Sequence, residues 1–164
     1  MQRSDIELCT HSQRKALRNP KTEERPELTQ LVPRSLIDEA VKFHGHLGVF
    51  LILGLKAGLY ANEVLGKDHF RTRAIVESEL FPPFSCFVDG VQVTTGCTMG
   101  KGNIELKNGR NLSVTFVRSS KRLKLSLRDE VLEGLREIHS KEDSEKTALA
   151  LIDRPLQELF QIEE

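Results

Sequence analysis

Two histidines flanking a glycine, His44-Gly45-His46, and two cysteines eleven residues apart, Cys86 and Cys97, are the side chains in this sequence best suited to hold a metal ion. Imidazole nitrogen and thiolate sulfur together suit zinc, which binds such ligands in tetrahedral sites. Spacing limits the arrangement. Eleven residues of uninterrupted α-helix cover about 16 Å, whereas each sulfur on a shared zinc must lie within ~2.3 Å of it. A site therefore uses the histidines with one cysteine, unless the connecting helix is short or the second cysteine comes from another protomer. A plainer reading stands beside this one. His44 shares an apolar helical face with Ile37, Ala40 and Val41 and fits a hydrogen-bonded core position, and free cysteines are among the most buried residue types.

Two further chemistries are open to the same residues. A helix starting near Cys86 would favour its thiolate through the helix dipole, which allows thiol redox chemistry, while Asp89 one turn on adds an opposing charge. The loop Gly96-Cys97-Thr98-Met99-Gly100-Lys101-Gly102-Asn103 could hold an anion through backbone N–H groups and Lys101, although it matches no P-loop spacing and also reads as a turn into a strand. Asp89 and Lys101 are thus the candidate ligand-contacting charges.

These residues need elements to position them. Ser35 with Asp38 makes a capping-box pattern just after Pro33, and Leu36, Ile37, Ala40 and Val41 recur at helical spacing up to the His-Gly-His joint. A second helix, roughly 48 to 65, is apolar nearly all round at its start and is expected at the centre of the fold. Gly54 and Gly58 on it invite close approach of another helix, and Gly66 closes it. Residues 71 to 78 alternate as a strand, stopped by Pro82 and Pro83. Ser85 can cap a short helix from Cys86 towards Thr95. Ile104 to Lys107 and Leu112 to Arg118 flank Asn108-Gly109, which predicts a hairpin. Leu123, Leu125 and Leu127 alternate in a third segment after a turn at Ser119-Ser120, and the chain reads as helical from Arg128 onward. The order gives an α+β fold, with a small mixed or antiparallel sheet covered by helices. Residues 1–33 form a polar arm carrying Cys9, 34–127 the core domain and 128–164 a helical extension.

Composition narrows the function. Lys plus Arg and Asp plus Glu both number 24, so the formal net charge is zero, unlike a generic nucleic-acid binder. The longest apolar run, Val49 to Leu53, falls far short of the ~20 residues of a membrane span. Three cysteines and no apolar leader in the first ten residues point to free thiols or metal ligands in a reducing cytoplasm.

Four blocks carry a family likeness: Phe43-His44-Gly45-His46-Leu47, Ala74-Ile75-Val76-Glu77, Cys86-Phe87-Val88-Asp89-Gly90-Val91-Gln92-Val93, and Thr95-Gly96-Cys97-Thr98-Met99-Gly100-Lys101-Gly102-Asn103. Together, over about residues 35 to 127, they resemble the E-subunit family of formylmethanofuran dehydrogenase. The resemblance implies an α-β-α-β-β-β domain. It also implies metal binding, commonly zinc, with His44, His46, Cys86 and Cys97 as candidate ligands, and association with C1 metabolism or molybdenum and tungsten enzymes in archaea and anaerobic bacteria. The family usually continues its histidine motif with Cys-Pro-Gly, where this chain has Gly48, Val49 and Phe50, and no cysteine follows Cys97 to build a C-terminal zinc ribbon. Expected roles are a metal-binding accessory protein or small enzyme, a non-catalytic module for a pterin-like or other anionic ligand or a partner subunit, or a thiol redox component. A homodimer is also expected, because the 48–65 helix has more apolar surface than one small sheet covers and because its glycines offer a flat patch.

Overall fold

The computed structural model describes residues 31–164, so the expectations for the polar arm, Cys9 included, lie outside the described residues. Helix α1 (Arg34–His44) leads through the glycine joint into α2 (Val49–Leu65), then strand β1 (Thr72–Ser78). A short 3-10 turn (Phe84–Cys86) opens α3 (Phe87–Thr95), and a second one (Met99–Lys101) precedes β2 (Ile104–Asn108). Strands β3 (Ser113–Arg118) and β4 (Lys121–Leu127) follow, then α4 (Asp129–Arg136), α5 (Lys141–Ile152), the single turn α6 (Leu156–Leu159) and β5 (Phe160–Glu163). The α+β class and the helix-covered mixed sheet are as expected from the sequence.

The sheet runs β2-β1-β3-β4-β5. Its buried side is written in alternation: Ala74 and Val76 of β1, Val114 and Phe116 of β3, and Leu123, Leu125 and Leu127 of β4 face the helices. Helix α2 lies at the centre, with every residue from Val49 to Gly58 buried, as its all-round apolarity predicts. Its glycines receive α3. A Cβ at Gly54 would collide with the Phe87 carbonyl, one at Gly90 with the Leu51 carbonyl, and one at Gly58 would come within 2.7 Å of Thr94 Cβ. The two helices therefore pack backbone to backbone where neither carries a side chain.

Several expectations are corrected. Asn108-Gly109 is not a hairpin turn. β2 pairs in parallel with β1, Ala74 opposite Ile104, and β3 pairs antiparallel with the other edge of β1. Gly109 does not adopt the positive φ of a type I′ turn; its N–H donates to the Ser78 carbonyl and prolongs the parallel ladder. A strand, helix and strand in sequence favour a parallel crossover, and here that outweighs the local turn signal. Ser35 caps nothing: it lies inside α1, whose N-cap is Pro33. Ser85 likewise makes no cap, falling within the 3-10 turn. The extension after Arg128 is not wholly helical, because β5 adds to β4, Leu125 opposite Ile162. The apolar surface of α2 and its glycine stripe, on which the homodimer expectation rested, are covered within this one chain by α3 and by α5.

Candidate functional site

The glycine joint places two imidazoles side by side. Gly45 takes a φ of 100° and ends α1 with its N–H on the Val41 carbonyl; only glycine enters that conformation cheaply. The chain then turns into α2 through extended Gly48. As a result the His44 and His46 rings stand with centroids 4.6 Å apart, tilted by 37°.

Helix α3 brings a carboxylate to this pair. Asp89, in its first turn, accepts a 2.7 Å hydrogen bond on Oδ2 from His44 Nδ1 across 45 residues of sequence. Gln92 Nε2 donates to Asp89 Oδ1, and Gln92 Oε1 accepts from the Met99 N–H, so the carboxylate is itself held. The His44 side chain is 9% exposed, and its Nε2 is buried without a hydrogen-bond partner among the described residues. In the tautomer whose Nδ1–H donates to Asp89, Nε2 carries the bare lone pair. This is the geometry that orients a ligating histidine, with one nitrogen on a carboxylate and the other available. His46 has its pKa lowered, first by burial and then by the charges of His44 and Lys141, with Glu145 opposing. A lowered value favours the neutral, ligating form.

The cysteines stand apart from each other. They occupy opposite ends of α3, a continuous nine-residue helix about 13 Å long, so one chain cannot place both sulfurs on one ion. Cys86 is half-buried at the start of α3. Burial, and after it the charge of Asp89, push its thiol pKa up, overriding the dipole effect expected of a helix N-terminus. Cys97 is fully buried, with Sγ donating to the Thr72 carbonyl at 3.3 Å and its N–H donating to Thr95 Oγ1. Burial raises its pKa as well. Neither thiol is prepared for thiolate chemistry.

The glycine-rich loop satisfies itself. Lys101 Nζ donates to the Gly96 carbonyl and stands 5.4 Å from the Phe70 ring centroid. Asn103 donates to the His69 and Thr72 carbonyls and accepts from the Thr98 N–H, and Thr98 Oγ1 caps the 3-10 turn. Its donors serve the loop, and Lys101 is engaged there rather than with Asp89.

Among the described residues no three His, Cys, Asp or Glu side chains gather as a metal-holding group. A Cβ placed on Gly48 would lie 3.3 Å from His46 Nε2, so a thiol at that position would reach the imidazole. A residue missed by sequence reasoning is His139, which lies with His46 on a cavity of about 290 Å³ where the α4–α5 joint meets the start of α2. Nothing local singles it out, since only tertiary packing places it there.

Known proteins agree with this architecture. Residues 43–162 match the family described as FmdE, molybdenum formylmethanofuran dehydrogenase operon, and the chain belongs to that family. It is also 38% identical over 86 residues to a probable S-adenosyl-L-methionine-binding protein of Archaeoglobus fulgidus, a match that covers 51% of this chain and 23% of that protein. The chain thus spans about a quarter of that relative's length. Among solved structures, a tungsten formylmethanofuran dehydrogenase FmdE-like protein from Syntrophus aciditrophicus superposes with a TM-score of 0.54 over 79% of this chain and 69% of that one, at 18% identity. That likeness is one of fold. No helix among the described residues is long and apolar enough to cross a membrane.

Proposed function

We propose that this chain is a metal-binding accessory protein working alongside a formylmethanofuran dehydrogenase, with a divalent ion such as zinc taken at His44 and His46. The observation that carries the reading is the orphaned His44 Nε2, buried and turned away from a carboxylate that fixes the rest of the ring. An unpaired buried nitrogen costs about 1–3 kcal/mol, and a bound ion removes that cost. The donor chemistry fits: two imidazoles as ligands, with Asp89 as the orienting carboxylate.

Two protein nitrogens make a partial site, with positions left for water, a substrate or a partner's side chain. When bound, the ion would supply Lewis acidity at those open positions. The chain's own part is to orient His44 through Asp89 and to hold His46 beside it at the joint of α1 and α2. The family's link to a molybdenum formylmethanofuran dehydrogenase operon supports this partner.

Metal content after zinc-supplemented expression, measured in the wild type and in His44→Ala, His46→Ala and Asp89→Asn, tests the reading. Zinc in the wild type that falls with each histidine supports it. A wild type with near-zero zinc overturns it.

A further inference from the structure

We propose that the cavity beside His46 binds a small organic anion, a molecule with a compact apolar body and one carboxylate head. This goes beyond the metal reading and requires no ion.

The cavity has two unlike walls. One is apolar, built from Phe50, Pro83, Leu135 and Ile138. Phe50 is propped by Phe84 at 4.9 Å between centroids. Arg136 stacks on Phe84 at 4.7 Å and is tied to Glu79 at 2.6 Å, so this wall is fixed before any ligand arrives. The polar part of the lining is His46, His139, Lys141 and Ser144, with Ser140. No carboxylate lines the cavity, and Lys141 has no ion-pair partner among the described residues. Of the nearby acids, Asp143 accepts from Ser140 and Glu142 pairs with Lys146, while Glu145 lines the neighbouring groove between α1 and α5 and is the one acid whose charge also reaches His46.

Gly48 opens the polar end. A Cβ there would sit 3.3 Å from His46 Nε2 and 3.9 Å from Ser144 Oγ, between the two groups. Its absence leaves room for a head group that both can reach. The space of about 290 Å³ lies at the small end of the ~300–1,000 Å³ typical of ligand sites, which fits a single ring or short chain. One lysine with imidazole and hydroxyl donors matches one negative charge shared over two oxygens.

Benzoate and its neutral near-isostere benzamide are suitable probes for calorimetry and amide chemical-shift mapping on the full chain, first in EDTA and then with zinc. Benzoate is expected to bind once per chain, with benzamide about tenfold weaker. Lys141→Gln, an exposed change that spares the fold, should weaken benzoate about tenfold and leave benzamide alone. Gly48→Val should weaken both probes, because the extended Gly48 backbone takes a side chain without φ strain and the new one crowds the space between His46 Nε2 and Ser144 Oγ. Lys121→Gln, at the start of β4 and outside the cavity lining, should change nothing. Absent benzoate binding, equal binding of the two probes, or benzoate binding indifferent to Lys141→Gln overturns the proposal. So does benzoate binding that requires zinc, since that would place the anion on the ion. Benzoate binding in a protein that takes no zinc would instead sink the metal reading and leave this one standing.

Discussion

The histidine joint and the cysteine loop attract notice in the sequence for the same reason: each places metal-loving side chains beside glycines. The structure separates them. In the loop, Cys97, Lys101 and Asn103 have their hydrogen bonds made by neighbouring backbone, and the result is a rigid turn feeding β2. At the joint, His44 has one nitrogen secured and the other left bare in a buried setting. Residue type nominates a ligand; the unmet hydrogen-bonding capacity distinguishes a ligand from architecture. Thr72 Oγ1, also buried and unpaired beside the loop, is a neutral hydroxyl and a far weaker ligand than an imidazole.

The difference can be broken or sharpened by mutation. The largest expected effect is on His44→Ala, which should lower zinc affinity about 100-fold, or ~2.7 kcal/mol, while Cys97→Ala leaves it within about twofold. Competition titration against a chelator of known affinity measures both, and a collapse in Cys97→Ala would erase the contrast. Next is Asp89→Asn, expected to cost about 10–100-fold in zinc affinity with the thermal midpoint nearly unchanged, because the amide oxygen can still accept from Nδ1. Equal affinity in this variant would show that the carboxylate does not tune the ring.

Cys97→Ala should instead cost about 1–2 kcal/mol of stability, and the cost should depend on pH. The Cys97 pKa is raised in the folded chain from its ordinary 9.0. The folded state therefore holds the proton more tightly, and this contribution is present below pH 9 and lost as pH rises through the folded value. Urea midpoints of both proteins should differ more at pH 7.5 than above pH 9, the buried Lys56 affecting both alike. A constant gap would deny the burial effect. The smallest expected change is a gain: Gly48→Cys should tighten zinc binding about tenfold, or ~1.4 kcal/mol, by supplying a sulfur next to His46 Nε2. Unchanged affinity would show that the ion sits elsewhere.

Much of the architecture is legible in the residues. Helix α2 is announced by apolarity on every side, β1 and β4 by strict alternation, and the β3–β4 turn by Ser119-Ser120, where Ser119 takes a φ of 54°. What misleads is local chemistry that tertiary pairing overrides. Asn108-Gly109 has the form of a hairpin turn, yet β1 offers β2 a parallel edge. The four-residue β5 is too short to announce itself, although Phe160 and Ile162 alternate with Gln161 and Glu163. In the site, the type of His44 and His46 is visible, but the Asp89 contact spans 45 positions, and no periodicity reports a contact at that distance.

The meeting of α2 and α3 also works as a ruler. Asp89 directly precedes Gly90, the residue that lies against the α2 backbone, so the carboxylate's reach towards His44 is measured from that contact. A methyl group inserted at Gly54 or Gly90 must push the helices apart, and a displacement of even about 0.5 Å is enough to loosen a constellation of this kind. Such variants should therefore lose the calibration of the histidine pair before they lose the fold, and core substitutions far from any ligand would read as defects of binding.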